Sequence, residues 1–332
     1  MSLSKVSIII INYNGKNLLE TCLESLFKID YTNFEVILVD NNSTDNSIEF
    51  ITKNYPSIII IKLDSNQGFA EPNNIASKIA KGKYLLFLNN DTIVTPKFIS
   101  KMVEAMENDT KIGICQSMLL KFNGIIDSSG DFIDELGVVY NSKSEINSVR
   151  EISSARGASM LIKKNFFDEL DGFDESFFVS FEDVDLGWRT WIKGFKVIVV
   201  PESIVYHDGG NTVKKIKSEI AFHGFKNQLI MKLTNFESHL VPKIVFSFLI
   251  IYGMREIRIW LDYIFKGYTK ITPTNYEKIY AQKPNFKIIL KSLFWLFQNN
   301  KKIFKKHKIV NSTRKLSTKI LKQKKILSNT KQ

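Results

Sequence analysis

KYLLFLNND, Lys83–Asp91, runs through five apolar residues, Tyr84 to Leu88, and then stops on two amides and a carboxylate. The run does not alternate with polar residues, which is the pattern of a strand buried on both faces of a parallel sheet. Val6–Ile11, Val36–Val39 and Ile58–Leu63 read the same way. Helical spacing separates these runs: Leu18, Leu19, Cys22, Leu23 and Leu26 recur on one face, as do Phe98, Met102, Val103 and Met106, and Asn73–Lys81 fits a further helix. Strand and helix alternate, so the first 110 residues predict a doubly wound α/β unit. Three of its strands end in polar clusters, NYNG, DNNSTDNS and NND. Ligands of open parallel sheets bind at the carboxyl ends of the strands, so the three clusters are expected to meet in one crevice.

The chain has 332 residues, 44% of them hydrophobic, enough for a sizeable core. Cys22 and Cys115 are far apart and belong to no Cys/His spacing, which argues against a disulfide scaffold or a structural zinc site. The start, MSLSKVSIIIINYNG, reads as a strand, and no cleaved leader is expected. Charge is unevenly placed. Residues 1–210 carry 20 Lys/Arg against 29 Asp/Glu, residues 211–332 carry 26 against 5, and the whole has a net charge of +12. An acidic body, 1–210, is therefore expected to be followed by a basic helical extension, 211–332, that ends in a frayed tail. Within the extension, Ile257, Leu261, Ile264 and Phe265 form one stripe and Arg255, Arg258, Asp262 and Lys266 another, as in a helix lying in a membrane interface. Ile244–Tyr252 is too short to span a bilayer. Packing of these helices on the body with their lysines outward is the alternative. Nucleic acid is not an expected partner, because no recognised nucleic-acid motif accompanies the basic charge.

Two stretches carry chemistry. Asp91 can hold a hard divalent cation through oxygen, and Asn89 can reach a ribose or the metal's water; a plain turn explains the same cluster. Asp40 can accept a hydrogen bond from a base or sugar hydroxyl, and Tyr13 can stack on a base or pack as an ordinary ring. Further on, VSFEDVDLGWR, residues 179–189, crowds Glu182, Asp183 and Asp185 directly after Phe177, Phe178 and Phe181. Such a cluster is either a solvated helix start or a site where charge is used. Asp185 lies four residues before Arg189, the spacing of an ion pair on one helix face.

Taken in order, VSIIIINYNGKNLLETCLESL, VDNNSTDNS, NQGFAEPNNIASKIAKGKYLLFLNNDT, RGASMLIKK, GFDESFFVSFEDVDLGWRTWIKGFKVIVVP and VYHDGG resemble the family 2 glycosyltransferases, especially their rhamnosyltransferase-like branch, over roughly residues 5–235. The resemblance implies a GT-A fold with a mostly parallel central sheet and inverting transfer of a sugar from a nucleoside diphosphate donor, of UDP or dTDP type, to an acceptor hydroxyl on a lipid-linked or polymeric glycan. It maps donor binding to Asn12, Tyr13, Asn14, Asp40, Asn66, Gly68, Asn89, Asn90 and Arg156. It maps a Mn or Mg site to Asp91 and His207, with Asn89 where the family's metal motif begins with aspartate. Asp183 falls at the base position, and Glu182 beside it as an acceptor contact. The chain departs from that branch at Glu71 and Pro72, where two glycines are usual. With the basic extension, the resemblance implies a cytoplasmic enzyme held on the inner face of the cell membrane. Two competing readings are a sugar nucleotidyltransferase, whose usual Gly-rich phosphate loop NYNGKNLL does not match, and a non-catalytic sugar-nucleotide or glycan-binding protein, which does not require Asp183.

Overall fold

The computed structural model describes residues 3–207, 209, 217–266 and 286–327. β1 (Val6–Asn12), α1 (Lys16–Leu26), β2 (Phe34–Asp40), α2 (Ser47–Asn54), β3 (Ile59–Lys62), α3 (Ala70–Ile79) and β4 (Tyr84–Leu88) alternate as expected. The third helix starts earlier than its periodicity suggests, because Pro72 sits in its first turn, where a missing amide proton costs nothing. After β5 (Thr92–Val94), α4 (Phe98–Asn108) and β6 (Ile112–Leu120) come the short strands β7 (Ile126–Ser128), β8 (Asp131–Ile133), β9 (Val139–Asn141) and β10 (Arg150–Glu151). β11 (Ser159–Lys163), α5 (Lys164–Glu169), α6 (Glu182–Ile192) and β12 (Lys196–His207) complete the sheet region. The helices α7 (Lys217–Asn235), α8 (Val241–Lys266), α9 (Phe286–Gln298), α10 (Asn300–Ser312) and α11 (Thr318–Gln323) follow.

The main sheet runs β10-β12-β6-β11-β4-β1-β2-β3. β3, β2, β1 and β4 are parallel, and β11 is antiparallel to both of its neighbours. Both faces are covered, which explains the lack of alternation: Ile8 and Ile10 enter one apolar cluster and Ile9, between them, the other. Register sets the ligand edge. Asn12 lies beside Asp40, and Ile9 pairs with Phe87, so Asn89 and Asn90 emerge at that same edge. β5 folds back antiparallel onto β12 and pairs Thr92 with His207.

The charge step near residue 210 is not a break in the core. Ile230 and Met231 of α7, Ile303 and Val310 of α10, and Leu321 of α11 belong to the same buried cluster as Ile9 and Phe87. The frayed tail is a misreading. Residues 317–327 form α11 and a turn in which Leu321, Ile326 and Leu327 are buried, Leu327 bridges Ile133, and Lys322 pairs with Glu135 at 2.8 Å. Three apolar side chains among many lysines were enough to dock the segment, because burying each stabilises by about 1.5–3 kcal/mol. Residues 328–332 lie outside the described residues.

Candidate active site

The donor side is built from the strand ends. Asn12 is fully buried, donates to Ser43 and Ser47 at 3.2 and 3.0 Å, and accepts from Asn90 at 2.9 Å. Asn14 takes φ 49 and accepts from the Thr44 amide at 2.7 Å. These three amides, expected to touch a donor, are engaged in tying the β1, β2 and β4 loops together. Asp40 is different: one carboxylate oxygen accepts from the Ser43 amide at 3.1 Å, while its buried Oδ1 has no hydrogen-bond partner. It lines a cavity of about 870 Å³ with Ser43, Thr44, Lys53 and Lys62. Tyr13 is 38% exposed, open to stack on a planar group.

Asn66 and Gly68 shape the neighbouring loop. Asn66 accepts the Gly68 amide at 2.9 Å, and Gly68 has φ +78. A Cβ there would lie 2.0 Å from the Phe178 carbonyl oxygen, so a crossing of two backbones is enough to require glycine. Phe69 donates to that same carbonyl at 2.7 Å. The donor loop is thereby joined to the segment that leads into α6.

A chain of charge runs across the crevice. His207 Nε2 is 3.5 Å from Asp91, and its Nδ1 is 3.0 Å from Asp127. Asn89 Nδ2 is 3.4 Å from the same Nε2. Arg156 meets Asp127 at 4.0 Å and Asp131 at 3.2 Å. The guanidinium expected to face a diphosphate is thus the counter-charge of two aspartates that the sequence reading passed over. Burial lifts Asp131 to about 6 in spite of Arg156. Burial pushes Asp127 upward too, but the His207 hydrogen bond and the Arg156 charge outweigh it and leave its carboxyl below the usual range. Three aspartates in eight residues, Asp127, Asp131 and Asp134, set among apolar and small residues, were the available signal; Asp134 caps its own turn, accepting from the amides of Leu136 and Val138.

Beyond Arg156 stands the acidic pair at the start of α6. Asp183 accepts from the Gly157 amide at 3.0 Å and the Val184 amide at 2.8 Å. Burial raises it, against those amides and Arg156, which favour the anion. Glu182 is 6% exposed and its Oε2 has no hydrogen-bond partner. Burial first, then the charge of Asp183, lift its carboxyl well above the usual range. Of the two, Glu182 is lifted further, whereas the two amides and Arg156 oppose the rise of Asp183.

A sequence model of glycosyl transferase family 2 matches residues 7–169, the strands and loops just described. Residues 7–169 belong to that family. It is 29% identical over 224 residues to the O-antigen biosynthesis protein RfbC of Myxococcus xanthus, covering 62% of this chain and 18% of RfbC. It is 40% identical over 105 residues to the UDP-Glc:alpha-D-GlcNAc-diphosphoundecaprenol beta-1,3-glucosyltransferase WfaP of Escherichia coli, covering 31% of this chain and 42% of WfaP. The chain therefore spans less than half the length of these curated relatives. Among solved structures, GalNAc-T7 with UDP, GalNAc and Mn2+ superposes with a TM-score of 0.57 at 18% identity, covering 69% of this chain and 47% of that one. That likeness shows the GT-A fold.

The Asp91–His207 pair fits a divalent cation. A carboxylate oxygen and an imidazole nitrogen face each other, which suits Mn. Asp127, on the far ring nitrogen, fixes which nitrogen is presented. Among the described residues no group of three or more His, Cys, Asp and Glu is placed to hold a metal. A cation here would complete its shell with diphosphate oxygens and water, as Mg and Mn commonly do.

Helix α6 is held from behind by the basic extension. Asp185 and Arg189 pair at 2.8 Å, as their spacing predicted, and both are buried. Asn235 of α7 donates to Asp185 at 2.9 Å, and Lys306 of α10 reaches Asp185 at 3.0 Å and Asp174 at 2.6 Å. Asp185 is held below the usual carboxylate range although burial opposes it, because Arg189 and Lys306 favour its charge. Replacing Lys306 by Ala leaves two buried carboxylates short of a cation and is expected to cost about 3 kcal/mol of stability. Thermal unfolding would show it as a lowered Tm; an unchanged Tm would mean that water replaces the ammonium.

Proposed function

We propose that this chain is a metal-dependent, inverting glycosyltransferase that moves a sugar from a UDP- or dTDP-sugar to a hydroxyl of a lipid-linked or polymeric glycan at the cytoplasmic face of a membrane. The observation that carries the reading is the geometry around Asp183. A half-buried carboxylate, whose anion two amides and Arg156 favour, stands across the Asp127–Arg156 link from the Asp91–His207 pair. In inverting transfer the acceptor oxygen bonds to the anomeric carbon as the bond to the diphosphate oxygen breaks. The hydroxyl proton goes to Asp183, and the leaving electron pair goes to the diphosphate. Asp91 and His207 would hold the cation, whose charge stabilises that diphosphate. Asp40, with an unpaired oxygen in the 870 Å³ cavity, and exposed Tyr13 would receive the base and ribose. The activity of WfaP on a diphosphoundecaprenol-linked sugar supports a lipid diphosphate acceptor, and the GalNAc-T7 complex with UDP and Mn2+ supports that nucleotide and metal.

The membrane part of the proposal rests on side chains turned outward. α8 exposes Phe246, Ile250, Ile251, Met254, Ile257 and Trp260; α9 exposes Leu290, Phe294 and Phe297. Exposed Lys287, Lys291, Lys301, Lys305 and Lys308 flank them. Among the described residues no helix is long and apolar enough to cross a membrane, so this surface suits lying in an interface.

Incubation with a panel of nucleotide sugars and Mn is expected to release nucleoside diphosphate. EDTA should stop the release and added Mn restore it. Turnover indifferent to EDTA would refute the metal assignment, and pyrophosphate as the product would turn the reading to a nucleotidyltransferase.

A further inference from the structure

The approach to the acidic pair carries backbone strain. Ser180 has φ 72 and Phe181 φ 70, two consecutive side-chain-bearing residues in the left-handed region. Phe181 is the residue before the first turn of α6, so its conformation sets the direction in which Glu182 and Asp183 leave the loop. Bulky residues hold such angles only where their surroundings impose them. Here the carbonyls of the segment are gripped one after another. Phe178 accepts from Phe69, and Phe181 from Asp185. The two between, Val179 and Ser180, both accept from one side-chain amide: Asn227 Nδ2, at 2.9 and 2.7 Å. Asn227 is fully buried on α7, beyond the stretch matched by the family model. Its neighbour Lys226 donates to the Ser176 carbonyl at 2.5 Å and lies 4.3 Å from the Trp295 ring of α9.

We propose that Asn227 is a positioning residue for transfer: its amide locks the left-handed Ser180–Phe181 turn and thereby aims the carboxylate of Asp183 at the acceptor hydroxyl. The proposal rests on Asp183 being the base. A buried amide that donates both protons to successive carbonyls of a strained turn has no role in the donor cavity, so its loss should act on the chemical step and spare donor binding. A turn released by as little as about 1 Å costs on the order of 100-fold in rate.

Asn227→Leu keeps the branching at Cγ and removes the donor. The expected result is a kcat lowered about 10- to 100-fold, with UDP affinity and donor KM unchanged. Adding Ser180→Gly should recover most of the loss, since glycine takes positive φ without a clamp; a mere packing defect at position 227 would not respond to a glycine at 180. Should Asn227→Leu fail to fold, Asn227→Ser, too short to reach the carbonyls, replaces it in the same measurements. Wild-type kcat in the folded variant, or a loss that Ser180→Gly leaves untouched, overturns the proposal. Asp183→Asn is measured alongside. If Asp183→Asn is inactive while Asn227→Leu is fully active, the clamp alone is wrong; full activity in both overturns the base assignment and the clamp with it.

Discussion

Asp183→Asn is expected to lower kcat by about 10²- to 10⁴-fold, the usual contribution of a general base, while nucleotide-sugar binding persists. The amide preserves the shape and can still meet the Val184 amide through its oxygen, but it cannot take a proton. Glu182→Gln should behave otherwise. Burial and the neighbouring Asp183 favour the protonated form of Glu182, and glutamine is the closest neutral copy of a protonated glutamate, so a loss within about tenfold is expected. The two variants, compared by single-turnover rate and donor titration, separate base from support. Equal losses would mean that the pair works as one unit. The pH profile offers a second check. Burial raises Asp183, and the base acts only when ionised, so the rate falls as pH drops through that raised value. The acid limb should therefore lie above the range of an ordinary aspartate, about 4. An acid limb at or below 4 would contradict a buried base.

Replacing Leu290, Phe294 and Phe297 together by Ser is expected to release the protein from vesicles of phosphatidylcholine and phosphatidylglycerol. These three side chains of α9 are 68%, 61% and 74% exposed, so their removal leaves little of the core unfilled. Full burial of such a side chain contributes about 1.5–3 kcal/mol; half of that for each gives about 3 kcal/mol, or roughly a hundredfold in partition. The lysines around them add about 1 kcal/mol each near an anionic surface, and that share should fade in high salt while the apolar share persists. Sedimentation with vesicles measures both. Nucleotide-sugar hydrolysis in free solution should be unaffected by the triple change. Unchanged sedimentation would show that the exposed face serves some other contact.

The sheet was legible because its code is local. Short apolar runs without alternation mark strands covered on both faces, and a polar cluster at the end of each marks the ligand edge; Val6–Asn12, Phe34–Asp40 and Tyr84–Leu88 are where those runs lie. The Asp185–Arg189 pair was legible for the same reason, since helix geometry fixes which neighbours meet. The role of Gly68 was not. It is demanded by the Phe178 carbonyl, 110 positions away in sequence, and nothing in NQGFA announces that crossing.

Residue types and their order thus determined the alternating fold, the family and the candidate acids at 91, 182 and 183. Tertiary structure alone decided which groups face one another: Asp127 behind His207, Asp131 against Arg156, and, from the basic extension, Lys306 and Asn235 on Asp185 and Asn227 on the loop before the acidic pair. The reason is range. Periodicity and capping act over a few residues, whereas the burial that raises Asp183 and the amides that hold its loop come from segments brought together only when the sheet closes and the C-terminal helices fold back upon it.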